Sequence, residues 1–233
     1  MNASSLAGRA SARRLAVVVV LLAASFLLAV AVMVRIVRTG SFDTWNLVWN
    51  LFLAWIPFVL ALLVYDGARR SASRPLLVVG GLLWLLFLPN APYIVTDAIW
   101  LDDWRLTGAP FWYDLALYVV AAGTGGILGF VSIYLVQRAC AARRGEVAGW
   151  LLAVTALGLS GAGVYLGRVL RWNSWDLLTR PEALLRDVAS GLVDPFAYPR
   201  ALVLTIACAA ALLAGYAFFY GTLRTQLAKL EDR

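Results

Sequence analysis

The sequence predicts an all-α fold: a polytopic transmembrane bundle of six spans, the third of them interrupted. Three observations carry this expectation. Hydrophobic residues make up 62% of the 233 positions and charged residues only 14%, where a soluble domain carries roughly a quarter charged residues. Mean hydropathy is +0.80. The apolar residues gather in runs of spanning length, about 20 residues for a hydrocarbon core of about 30 Å, with short polar loops between them. The chain therefore reads as a single transmembrane domain over residues 1–233.

The first apolar run, residues 15–34, follows a basic start that holds Arg9, Arg13 and Arg14. A cleaved signal peptide begins the same way but has a shorter apolar core, so an uncleaved first helix is expected. The second span covers residues 45–65, with Pro57 inside.

The third span, 76–101, organises the rest. Its first half, residues 76–88, reaches only about 20 Å at 1.5 Å per residue. The Pro89-Asn90-Ala91-Pro92 interruption then falls inside the membrane or just below one face. Prolines remove backbone donors, and carbonyls freed in lipid need other partners. Asn90 can supply an amide, and the carboxylate of Asp97 follows about two turns later. Polar groups beside broken membrane helices mark places where binding sites are built.

The fourth, fifth and sixth spans cover residues 111–136, 147–167 and 201–221. Gly125 and Gly129 in the fourth, and Gly163 and Gly167 in the fifth, stand four residues apart. Such spacing lets helices approach closely in lipid, and packing within one chain is the expected use. In the last loop, Thr179-Arg180-Pro181-Glu182 reads as a capping box with proline in the first turn. Leu184, Leu185, Val188 and Leu192 follow at helical spacing, which predicts a short amphipathic helix on the membrane surface. Pro195 and Pro199 are expected to end it.

Net charge is +7, but its distribution speaks for membrane orientation and against a nucleic-acid partner. Arg9, Arg13 and Arg14 share one side of a six-span bundle with Arg69, Arg70 and Arg74. Arg138, Arg143 and Arg144, and then Arg224, Lys229 and Arg233, fall on that side too. The positive-inside rule puts both termini in the cytoplasm, so Asp97, Asp102, Asp103, Asp114, Arg168 and Arg171 face outward. The sequence has no histidine, which excludes histidine triads, ligands and proton relays. Lys229, in the tail, is its one lysine, which argues against Schiff-base chemistry. Cys140 and Cys208 read as packing residues. The sequence assigns no cofactor and no resident metal.

Three stretches together look like a known family. They are Leu88-Pro89-Asn90-Ala91-Pro92-Tyr93-Ile94-Val95-Thr96-Asp97, then Trp112-Tyr113-Asp114, then Gly167-Arg168-Val169-Leu170-Arg171-Trp172-Asn173-Ser174-Trp175-Asp176. The chain resembles the bacterial integral membrane family known as domain of unknown function 1361, from about Trp45 to Gly221. The resemblance implies a multi-pass protein of the bacterial cytoplasmic membrane and brings no activity with it.

The candidate site is Asn90, Tyr93, Asp97, Asp114, Arg168, Arg171, Asn173 and Asp176, with Trp100, Trp172 and Trp175 around it. In a functional reading these residues line an outward polar pocket. The arginines hold a phosphate or carboxylate in bidentate geometry. Asp97 and Asp114 are the candidate catalytic carboxylates, as general base or as ligands to a hard cation. In a structural reading, Asp97 or Asp114 pairs with Arg168 and pins spans three, four and five, and the tryptophans form an interfacial belt. Asp102 and Asp103 read as solvated loop acids. The expected function is binding of an anionic lipid or small anionic ligand in that outward-facing pocket, with lipid modification as its enzymatic form and the lipid bilayer as the protein's surroundings. A non-catalytic accessory subunit, with a protein partner left open, is the alternative. A small-solute transporter is the second alternative, and it would need another interrupted helix.

Overall fold

The structure, a computed structural model, describes residues 3–101, 109–193 and 199–231. All regular structure among the described residues is helical. The elements are α1 (Ala3–Thr39), α2 (Trp45–Arg69), α3 (Arg74–Phe87), α4 (Asn90–Tyr93), a 3-10 helix (Ile94–Trp100), α5 (Phe111–Arg144), α6 (Glu146–Arg168), α7 (Asp176–Thr179), α8 (Pro181–Val193) and α9 (Pro199–Glu231). Six described segments are long and apolar enough to cross a membrane by length and composition. They are Arg14–Thr39, Trp45–Arg69, Arg74–Ala98, Phe111–Arg144, Glu146–Arg168 and Leu202–Gln226.

The spans run up and down, and ion pairs mark both ends. At the end that holds the termini, Arg14 grips Asp66 of α2 with two bonds of 2.7 and 2.8 Å. There Arg143 donates to the Ala68 carbonyl at 3.2 Å, and Trp150 packs on Tyr220 with centroids 4.7 Å apart. At the far end, Arg35 of α1 meets Asp114 of α5, and Arg168 of α6 meets Asp97. Helices α5 and α6 turn back on each other at a single residue, Gly145, whose φ of +92° is a conformation that glycine adopts without a Cβ penalty.

The core has two parts. Leu28, Val32, Leu47, Ala54, Phe58 and Leu128 lie in one, between α1, α2 and α5. Trp84, Leu88, Ala153, Leu157 and Tyr216 lie in the other, between α3, α5, α6 and α9. Large side chains such as Val20, Phe26, Leu63 and Phe218 are exposed, as lipid-facing positions are. The helices outrun the apolar windows, and α1 continues through Arg35 and Arg38 to Thr39.

The third span changes its hydrogen bonding and keeps its hand. Pro89 has φ −59° and ψ −21°, within the right-handed helical region. Ala91 N–H bonds the Leu88 carbonyl at 3.1 Å, one residue short of the α pattern. The chain then winds as α4 and as the 3-10 helix. The glycines close around this segment from two sides. A Cβ on Gly163 would sit 2.4 Å from Pro89 Cγ, and one on Gly167 would sit 3.1 Å from the Tyr93 ring. From α5, Gly125 would meet Ile94 Cδ1 at 2.6 Å and Gly129 would meet Ala91 Cβ at 3.0 Å. Both glycine pairs therefore receive this chain's own third span.

The last loop carries α7 and α8, and α8 begins at Pro181. The Thr179 hydroxyl does not serve as the expected cap. It ends α7, donating to Asp176 Oδ1 at 3.1 Å, and because α8 begins at Pro181 the residue in the capping position is Arg180. Pro195 lies outside the described residues.

Candidate functional site

Asp97 stands on the 3-10 helix with 1% exposure. Its Oδ1 accepts from Arg168 Nη2 at 2.5 Å, and its Oδ2 from Asn50 Nδ2 at 2.8 Å. Arg168 Nε donates to the Thr96 hydroxyl at 2.9 Å. Thr96 in turn donates to the Tyr93 carbonyl at 2.6 Å. The guanidinium carbon lies 4.3 Å from the Tyr93 ring centroid, inside the range of cation–π attraction. Three spans thus meet at one buried charge pair: α2 through Asn50, the third through Asp97, and α6 through Arg168.

Pro92 leaves the Leu88 carbonyl without its usual donor, and Ala91 N–H takes it. The two carbonyls before it find side chains. Asn90 Nδ2 donates to the Phe87 carbonyl at 2.9 Å and to the Ser174 hydroxyl at 3.1 Å. Ser174 Oγ donates to the Leu86 carbonyl at 3.0 Å. The loop after α6 is therefore stitched to the third span beside its prolines.

That loop leaves α6 by a backward turn. Arg171 takes a φ of +59°, and Trp172 N–H reaches the Leu166 carbonyl at 3.0 Å. Asp176 then gathers the loop. It accepts from Asn173 N–H at 2.8 Å and from Arg180 at 3.1 Å, besides Thr179. The Asn173 amide holds the Asp176 carboxyl below the usual carboxylate range, with Arg180 and Thr179 adding to it against the effect of burial. Trp172 Nε1 donates to Asp187 of α8 at 2.9 Å.

Between these parts lies a cavity of about 190 Å³. Helix α2 contributes Trp49 and Asn50 to its wall, the third span Asn90 and Tyr93, the loop Trp172, Asn173 and Ser174, and α8 Leu184.

The structure brings Asn90, Tyr93 and Asn173 onto this wall and sets Asp97 and Arg168 directly behind Asn50 and Tyr93. Asp114 stands apart: it binds Arg35 Nε at 2.6 Å and Nη2 at 3.1 Å. Arg171 is exposed, and Asp176 serves the fold of the loop. Asp102 and Asp103 lie outside the described residues, as does the side chain of Trp100. Sequence reasoning missed Arg35, Asn50 and Thr96, and it quoted Ser174 without assigning it a place. Asn50 had a signal: an amide in a span needs a polar partner in lipid. No three His, Cys, Asp or Glu side chains gather among the described residues in a way that would hold a metal ion.

No curated protein and no solved structure matches the chain. A family described as protein of unknown function (DUF1361) matches residues 49–219, which takes in every residue of the cavity wall. The chain belongs to that family.

Proposed function

We propose that the chain is a ligand-binding protein of the bacterial cytoplasmic membrane. Its cavity faces outward and takes the headgroup of an anionic lipid or another small anionic ligand. The observation that carries the reading is the position of the cavity: 190 Å³ of space beside the buried Asp97–Arg168 pair, at the end of the bundle opposite the termini. The positive-inside bias turns that end outward. Pockets for drug-sized ligands measure roughly 300–1,000 Å³, so this one suits a single headgroup. Arg168 keeps 15% side-chain exposure and Arg171 is exposed. A guanidinium directly behind the Tyr93 wall, with a second one three residues on in the loop, favours a phosphate or carboxylate. Asp97 has both oxygens engaged and Asp114 is bound to Arg35, so neither is set up as a general base, and the reading is binding rather than catalysis.

The test is a thermal-shift series on detergent-purified protein with phospholipids and small anions. A double variant, Asp97→Asn with Arg168→Gln, serves as control, because removing both charges leaves neither buried alone. A ligand at a hundred times its Kd adds about 2.7 kcal/mol. Shifts with anionic ligands that vanish in the double variant support the site. Shifts with none of them overturn it and put the accessory-subunit reading ahead. A reporter fused after Arg233 reads the sidedness, and an external signal overturns the outward placement.

A further inference from the structure

We infer that the cavity recognises a hydroxyl-rich headgroup, a sugar or cyclic polyol, carried next to the anionic group. The inference rests on the headgroup reading above and names the ligand class of that same site.

Asn90 has both amide hydrogens engaged, one on Phe87 and one on Ser174. The Phe87 carbonyl also settles which amide atom is nitrogen, since a carbonyl accepts only from a donor. Ser174 gives its single hydrogen to Leu86. Asn50 gives one to Asp97 and keeps the other, together with its carbonyl oxygen. At Asn90 and Ser174 the cavity meets lone pairs alone.

An anion needs donors, so this part of the wall does not suit a phosphate or carboxylate. It suits a group that donates, and no carboxylate or cation stands among the residues of the wall. A neutral donor that also accepts is a hydroxyl. Several hydroxyls on one ring can meet Asn50, Asn90 and Ser174 together and still accept from the exposed Asn173 amide.

The aromatic residues agree. Trp49 is 45% exposed and borders the cavity, so it offers an apolar face to the C–H side of a ring, with its N–H at the edge. Tyr93 already carries Arg168 over its ring, which leaves Trp49 as the platform. The charge of the ligand belongs on the side of Arg168, behind Tyr93, so the class is an anionic polyol: a phosphorylated sugar or inositol, free or on a lipid.

The experiment uses protein purified in an amine-oxide detergent, since a maltoside headgroup is itself a sugar. Tryptophan fluorescence is titrated with phosphatidylinositol, with phosphatidic acid, which lacks headgroup hydroxyls, and with the soluble inositol 1-phosphate. The expected result is at least tenfold tighter binding of phosphatidylinositol than of phosphatidic acid. Trp49→Leu and Asn173→Ala are expected to weaken phosphatidylinositol at least tenfold more than phosphatidic acid, and an equal loss for the two lipids overturns the polyol contacts. Circular dichroism melts of the two variants confirm that they fold. Inositol 1-phosphate that binds as tightly as the lipid supports the class and places its source in solution. Equal affinity for phosphatidic acid overturns the polyol inference and leaves the headgroup site standing. Binding of none of the three overturns both.

Discussion

Arg35 and Asp114 form a two-bond ion pair, 2.6 and 3.1 Å long, with each side chain 1% exposed. It ties the first span to the fourth at the far end of the bundle. Tyr113 adds a bond from its hydroxyl to the Ala31 carbonyl at 2.7 Å. Removal of one member strands a buried charge, at a cost of about 3–5 kcal/mol, whereas apolar replacement of both can be neutral. Asp114→Asn and Arg35→Met are therefore each expected to lower the melting temperature sharply. The pair Arg35→Met with Asp114→Leu is expected to recover most of the loss. Additive losses in a double-mutant cycle would show that the two residues act separately.

The contact of Gly163 with Pro89 makes a second prediction. A methyl group at Gly163 meets a proline ring that has no other rotamer to adopt. Gly163→Ala is expected to destabilise by about 1–3 kcal/mol through overpacking. Gly158→Ala, on the same helix with nothing within 4 Å, is expected to be neutral or to gain up to about 1 kcal/mol of helix propensity. Equal melting temperatures for the two variants would contradict the close approach.

Arg171 separates backbone from side chain. Its left-handed φ costs a non-glycine residue roughly 1–2 kcal/mol, which glycine avoids. Arg171→Gly is expected to melt at or above the parent temperature and, under the proposed function, to bind anionic ligands less tightly. Tighter or unchanged binding would remove Arg171 from the site.

Asp176 sets an acid limit on the loop. Its carboxyl titrates below the ordinary value of 3.8, so the native loop favours the ionised form. The stability this adds is fully present above pH 3.8 and is lost as pH falls towards and through the lowered value. The protection factor of the backbone amides around Asn173, exchange rate corrected for intrinsic pH dependence, is expected to fall over that acid range. In Asp176→Asn the protection factor is expected to be low already and not to change with pH.

The spans were legible because hydropathy at this scale leaves little choice of solvent. The need for side-chain donors around Pro89 and Pro92 was legible too, and Asn90 is one, on the Phe87 carbonyl. The identity of the other donor was not, because Ser174 arrives from a distant loop and no local pattern announces it. Arg35 was lost to a boundary. It follows the apolar run directly and passes for an end charge, while the helix carries it into the bundle, 1% exposed. Given Asp114 in a span, the need for a cation was readable, and Arg168 was the obvious one to name. Only packing shows that Asp97 takes Arg168 and that Asp114 takes Arg35. In the same way, four-residue glycine spacing signals a close approach and is silent about what approaches.

The winding of the Ile94–Trp100 segment also decides where Asp97 points. Side chains three residues apart eclipse one another in a 3-10 helix, whereas in an α-helix they diverge by about 60°. Ile94 is 0% exposed and Asp97 1%, so the two share one inward ridge, while Val95 is 49% exposed. Wound as an α-helix from the same start, the segment would swing the carboxylate about 60° around the axis, off the line to Asn50 and Arg168. Seven residues of tighter coil thus do the work of an aiming device, turning an acid that lipid would otherwise face toward the two groups that hold it.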